Sequence, residues 1–157
     1  MQADLPESAA YRRAHFSTRL PVNCLYSPSH FWLAQRTDGV WRVGFTKFAT
    51  HMLGEMVDHE FQTEVGSSLQ PGQILGWIEG FKAISDLFCV GTGGFRDGNP
   101  DLGDQITLVN KDPYGAGWLY EFDGQPDAHC VDVRGYQTIL DKTIDKLLEK
   151  QATETDE

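Results

Sequence analysis

The segment Ile74 to Val90 reads ILGWIEGFKAISDLFCV, and its pattern decides the fold. Two short apolar runs, Ile74–Ile78 and Leu87–Val90, have the length and the β-branched and aromatic content of strands. Between them Glu79-Gly80-Phe81-Lys82-Ala83 is a compact connection that projects Lys82 outward. Lys82 is one of six lysines in a chain whose formal net charge is -10. Most lysines are solvated surface residues. A lysine at the tip of a rigid hairpin is nevertheless what a swinging-arm carrier needs, because the arm must leave the surface and reach an attaching enzyme.

Upstream of this segment, the chain from Leu25 reads as short strands broken by turns. Phe31-Trp32-Leu33 is apolar, Asp38-Gly39 is a hairpin signal, and Trp41 to Phe45 alternates as a half-buried strand does. Thr46 is placed as an N-cap. Phe48, Ala49, Met52 and Leu53 share one helical face, and Gly54 is placed as a C-cap. Met56–Phe61 is a further strand. Downstream, the Gly/Asp/Asn/Pro-rich run from Gly91 to Asp104 predicts turn and loop, and Ile106–Val109 and Gly117–Phe122 predict strands. Tyr136, Ile139, Leu140, Ile144, Leu147 and Leu148 form a stripe that predicts a C-terminal helix. Asp141, Asp145 and Glu149 are like charges at i,i+4 spacing. Packing of the stripe, not ion pairing along the helix, must therefore hold it.

The 157 residues fit one domain. The expected division is a polar N-terminal extension over 1–18, a single domain over 19–150 and a solvated acidic tail over 151–157. The extension shows no strand or helix period. The acidic balance, with a pI near 4.8, speaks against nucleic-acid or membrane-surface partners. No apolar run has membrane-span length and the N-terminus has no apolar signal core, so a cytoplasmic protein is expected. Cys24, Cys89 and Cys130 are odd in number and widely spaced, which reads as reduced thiols, some of them buried. Cys89 with a distant histidine is the cysteine-enzyme alternative, set well below a buried strand cysteine. The five histidines show no metal-ligand spacing, and no metal is expected. Gly91-Thr92-Gly93-Gly94 lacks the Gly-Lys-Ser/Thr ending of a phosphate loop.

Several motifs in order resemble the H protein of the glycine cleavage system, a lipoyl carrier. They are Tyr26 to Trp32 (YSPSHFW), Val43 to Ala49 (VGFTKFA), Leu53 to Val57 (LGEMV), Ile78 to Asp86 (IEGFKAISD) and Asn110 to Trp118 (NKDPYGAGW). The resemblance spans Leu25 to about Phe122. It implies a mainly β, lipoyl/biotinyl-carrier-type flattened β-barrel, a barrel-sandwich hybrid with one short internal helix and a C-terminal helix. It implies lipoate amide-linked to Lys82, with Glu79 and Gly66 read by the attaching lipoate ligase or lipoyltransferase. Phe81-Lys82-Ala83 departs from the Met-Lys-Met of biotin carriers. The protein would be a non-catalytic carrier that docks to several enzymes in turn, dihydrolipoamide dehydrogenase among them.

The departures from the family pattern bear on the cargo. Phe31 stands where the family motif has a glutamate that helps hold the cationic amine of the loaded arm. Gly80-Phe81 replaces the usual Ser-Val, and Val90 to Arg96 replaces the usual segment after the lysine. Ser85 and Asp86 persist. An arm cleft is expected around Ser29, Phe31, Phe81, Ser85 and Asp86, with an apolar resting groove lined by Phe31, Phe81 or Phe95. These changes favour a related group, lipoate-binding proteins of sulfur oxidation that serve a heterodisulfide-reductase-like complex. The alternative is an ordinary glycine cleavage carrier working with the glycine cleavage enzymes. An unmodified interaction module is the reading from another class.

Overall fold

The structure is a computed structural model and describes residues 7–155. The part of the expected extension in residues 1–6, and residues 156–157 of the tail, lie outside the described residues.

The chain opens with a hairpin of β1 (Ser8–Arg13) and β2 (Phe16–Pro21). A six-stranded sheet runs in the order β3 (Leu25–Tyr26), β4 (Phe31–Thr37), β5 (Val40–Phe45), β11 (Tyr120–Pro126), β10 (Gly91–Gly98), β7 (Ser68–Leu69). A three-stranded sheet has β8 (Ile74–Gly80) between β6 (Met56–Phe61) and β9 (Ile84–Phe88). The inward faces of these two sheets share one core, which includes Phe31, Leu33, Val43, Leu75, Ile78, Leu87, Phe95 and Phe122. Two separate sheets over one core, without a closed barrel, make the barrel-sandwich hybrid that the family resemblance implies.

Helix α1 (Lys47–Leu53) forms as expected. The Thr46 hydroxyl accepts from the Ala49 amide at 3.4 Å, and Gly54 follows the last turn at φ +82°. Met52 departs from the predicted face and is 41% exposed, while Thr50 is buried in its place. Helix α3 runs over Val133–Thr155, so the expected solvated acidic tail is helical up to Thr155, with residues 151–154 exposed.

Three expectations are corrected. First, Ser8–Pro21 is a hairpin. Its turn holds Ala14 at φ +55°, a conformation that an alanine does not advertise. Tyr11 and Leu20 are buried in a second core with Tyr26, Trp32, Phe48, Tyr136, Leu140 and Ile144. The α3 stripe therefore packs on this hairpin as well as on the strands. Second, Gly91–Gly98 is a ladder strand. A Cβ at Gly93 would run into the Asp123 carbonyl of β11 and one at Gly91 into the Phe122 ring, so these glycines permit close approach instead of marking a loop. Third, Ile106–Val109 is not a strand. It is a turn running into the short helix α2 (Leu108–Lys111), with Val109 buried. A four-residue apolar run does not separate these outcomes by period.

Candidate functional site

The turn between β8 and β9 is closed by the Gly80 amide donating to the Ala83 carbonyl at 2.8 Å. Two of its backbone amides also pin it from below. The Phe81 amide donates to the Glu55 carbonyl at 3.0 Å and the Lys82 amide to the Leu53 carbonyl at 2.9 Å. A Cβ on Gly80 would collide with the Leu53 carbonyl, so glycine is what lets the hairpin sit on the end of α1. Gly54 lies under the lysine stem. A Cβ there would meet Lys82 Cγ at 3.0 Å and Lys82 N at 3.1 Å.

The segment beneath the tip is itself clamped. Asn110 Nδ2 donates to the Gly54 carbonyl at 3.0 Å, and Asn110 Oδ1 accepts from the Met56 amide at 2.8 Å. The side-chain amide thus satisfies one donor and one acceptor of an irregular segment. The sequence singles out the motif that begins at Asn110 but gives that residue no task.

Lys82 Nζ donates to the His51 carbonyl at 3.1 Å. Among the described residues it forms no ion pair, so its charge is not used structurally. Glu79 is exposed on β8 opposite Ile84. Gly66 lies at φ +88°, past the Phe61 end of β6, with its amide bonded to the Phe95 carbonyl at 2.7 Å. Phe61 pairs with Gly76 and Met56 with Gly80, so Gly66 and Lys82 lie toward opposite ends of that ladder.

The expected arm cleft is only partly assembled. Ser29 and Ser85 do line one cavity of about 150 Å³, with His30, Phe45, Phe48 and Met52. Phe31 does not join them. It is 1% exposed, stacked on Phe45 with ring centroids 4.9 Å apart. Phe95 is likewise buried in the core, while Phe81 is 78% exposed at the tip, so the three form no common groove. Asp86 pairs with Trp77 and is exposed, on the opposite strand face from its neighbour Ser85. No carboxylate lines the Ser29–Ser85 cavity.

His30 has φ +73°, unusual for a residue with a side chain. Its Nδ1 is 2.9 Å from the Tyr136 hydroxyl, which in turn is 2.7 Å from Thr46 Oγ1. Burial pulls the imidazole down to about 4, so it is neutral near pH 7. The cysteines are free. Burial pushes Cys24 up to about 12 and Cys130 up to about 11, and raises Cys89 as well. The Cys89 thiol is turned to the Gly91 carbonyl, the environment of an inert core thiol. Among the described residues no group of three His, Cys, Asp or Glu side chains is placed to hold a metal ion, and no helix is long and apolar enough to cross a membrane.

Sequence and structure comparisons point to one family. The chain is 37% identical over 123 residues to the glycine cleavage system H protein of Bacteroides fragilis, a match covering 76% of this chain and 96% of that one. It is 32% identical over 127 residues to the H protein of Escherichia coli, covering 79% and 98%. The crystal structure of a glycine cleavage system H protein from Mycobacterium marinum superposes with a TM-score of 0.67 at 31% identity, covering 74% of this chain and 95% of that one. The family described as glycine cleavage H-protein matches residues 24–134, well over half of the sequence. A lysine on a pinned hairpin, the carrier fold around it and these relatives lead to one conclusion: the chain belongs to the glycine cleavage H-protein family.

Proposed function

We propose that this chain is the lipoyl carrier of a glycine cleavage system, with lipoate amide-linked to Lys82. Proteins of the family carry lipoate covalently on a lysine. The observation that carries the assignment is the placement of Lys82 at the tip of the β8–β9 turn, unpaired in charge and bonded only to a backbone carbonyl. Acylation turns an ammonium with three donors into an amide with one. That one N–H can keep the bond to His51, so modification breaks no native interaction. The Gly54 hydrogen leaves room for the stem at the one point where a Cβ would crowd it.

When attached, lipoate supplies a dithiolane that is opened and closed by thiol–disulfide chemistry. The chain's own residues hold and present it. Gly80 and Gly54 let the turn seat on α1, Asn110 fixes the segment beneath, and Glu79 stands exposed three residues before the lysine for an attaching ligase or lipoyltransferase. Ser29 and Ser85 face one cavity in which a loaded arm can rest. The partners in this reading are the attaching enzyme, the glycine cleavage enzymes and dihydrolipoamide dehydrogenase, and the chain contributes no catalytic group of its own. The expected unit of residues 19–150 would cut β2 and α3, so the carrier unit in this reading includes the whole β1–β2 hairpin and α3, with Gly66 outside the immediate surroundings of the tip.

The expectation of a sulfur carrier finds no support in the relatives, which are named as glycine cleavage H proteins. One observation keeps it as a second reading. Phe31 is buried where the family motif has glutamate, and no carboxylate lines the Ser29–Ser85 cavity to meet a cationic amine.

Intact-mass analysis of protein from the native host tests the carrier role. One lipoyl increment on Lys82, absent from Lys82→Arg with the melting temperature unchanged, is expected. Aminomethyl loading of the arm by glycine and the decarboxylase at an ordinary rate is expected for the glycine reading. A lipoylated protein that glycine does not load would transfer the assignment to the sulfur reading, and an unmodified Lys82 would end both.

A further inference from the structure

Three cavities meet on the walls of α1, and the base of the lysine arm touches the point where two of them adjoin. The first surrounds Lys82 and is charged, with Lys47, Glu55 and Lys111 on its walls. The second is the Ser29–Ser85 cavity. The third has about 260 Å³ and lies between the β1–β2 turn, α1 and α3. Its walls are mostly apolar, with Phe16, Phe48, Met52, Ile144, Leu147 and Leu148. His51 is shared by the first and the third, and Met52 by the second and the third.

The β1–β2 hairpin and all but the first residues of α3 fall outside residues 24–134, the part that matches the family. Together the hairpin and α3 form a wall that reaches α1 on the side of His51 and Met52. The wall is firmly built: Phe16 packs edge-on to Phe48 at 5.5 Å and tilted over His51 at 5.6 Å. Met52 and Leu148 are left 41% and 44% exposed on it.

We propose that this groove is a second resting site for the lipoyl arm, taking the uncharged dithiolane when it carries no cargo. The inference rests on the lipoyl-carrier reading of Lys82. The bond from Lys82 Nζ to the His51 carbonyl survives as an amide N–H and starts the arm at the groove's own wall. An apolar, uncharged group gains by leaving water for an apolar surface, and the groove offers one without the charged side chains Lys47, Glu55 and Lys111 that line the cavity around Lys82. The groove is also larger than the Ser29–Ser85 cavity, about 260 Å³ against about 150 Å³. Met52, on the border of the two, is an unbranched side chain that can shift to either side as the arm changes place.

The test uses the full-length lipoylated protein with one added thiol. In Leu148→Cys the introduced thiolate attacks one dithiolane sulfur. A new S–S bond joins the introduced thiol to the arm, the ring S–S bond breaks, and the other sulfur leaves as a thiolate that takes a proton from water. No external oxidant is needed. The cross-link is read by alkylating the released thiol and mapping the joined peptides. Val65→Cys, at a position 68% exposed on the loop after β6, is the control, and Ser85→Cys reports on the other cavity. Cross-linking in L148C at least tenfold faster than in V65C is expected. Equal rates in L148C and V65C, or reaction in S85C alone, would overturn the inference while leaving the carrier role intact. Absence of the lipoyl mass increment from the parent protein would overturn the carrier reading and the inference together.

Discussion

The molecule has two hairpins whose tips both end at α1, and they are built in opposite ways. The β1–β2 tip is tied down by side chains: Phe16 packs on Phe48 and His51, Tyr11 OH donates to Asp141 at 2.7 Å, and Arg13 bridges Asp141 and Asp145. The β8–β9 tip is held through its backbone, and its side chains Phe81 and Lys82 are left in solvent. Side-chain anchoring fixes a surface but uses up the groups that make it. Backbone anchoring fixes the position of a residue and leaves its side chain free to be modified. Lys82, proposed as the lipoylated lysine, is on the second kind of hairpin.

Substitutions in the two regions should therefore separate stability from modification. The largest stability loss is expected for Tyr136→Ala beneath the first hairpin. The ring is fully buried, stacked on Tyr26 at 4.7 Å, and its hydroxyl bonds His30 and Thr46. Loss of about 3–5 kcal/mol is expected by denaturant unfolding, with lipoylation of the folded fraction unchanged. If Y136A instead blocked modification at low temperature, the separation would fail.

The next effect is in pH. His30 titrates near 4 when folded and near 6.5 when unfolded, so the unfolded state binds the extra proton first. Its contribution is complete above about pH 6.5 and is lost as pH falls toward 4, by at most about 3 kcal/mol. His59 shifts in the same direction, also by burial. Unfolding midpoints measured from pH 7 to 4 should fall, and His30→Asn, which tolerates the same backbone, should flatten the curve.

Gly54→Ala acts on the other hairpin. At φ +82° and ψ -170° the backbone is in a region kept for glycine, and the new methyl would press on Lys82. About 1–3 kcal/mol of stability should be lost, together with slower lipoylation in an in vitro ligase assay. Unaltered lipoylation would show that the stem is not guided by this contact. The smallest effect is expected for Arg13→Ala. All three partners are substantially exposed, so the melting temperature should drop slightly and the difference should disappear in high salt.

How much of this is legible in sequence depends on the physics of each element. The β8–β9 hairpin, α1 with its Thr46 cap and Gly54 stop, and α3 follow local rules of period and capping, and all three form, with the second strand beginning at Ile84 instead of Leu87, Met52 turned off the α1 face and α3 running on to Thr155. The like-charged Asp141 and Asp145 read as a liability on the helix because their partner, Arg13, is more than a hundred residues away in sequence. Gly91–Gly98 reads as loop because glycine is a turn former locally, whereas here it answers to β11 packed against it. The site divides in the same way. Lys82 stands at the turn that the strand–turn–strand pattern predicts, whereas a role for Glu79 is only what the family resemblance implies. Ser29 and Ser85 meet as expected, but Phe31 turns into the core and Asp86 faces away, since strand alternation and burial of a ring decide those directions together.

The sequence by itself determined the hairpin that carries Lys82, the two principal helices and the family, because those are written in short-range patterns and in motif order. Only the tertiary structure decided that the N-terminal segment is a hairpin, that Arg13 neutralises the helix aspartates, and that the His51 and Leu53 carbonyls hold the lysine tip. Those outcomes depend on contacts between distant segments and on backbone groups, which are identical in every residue but proline and therefore leave no trace in the letters.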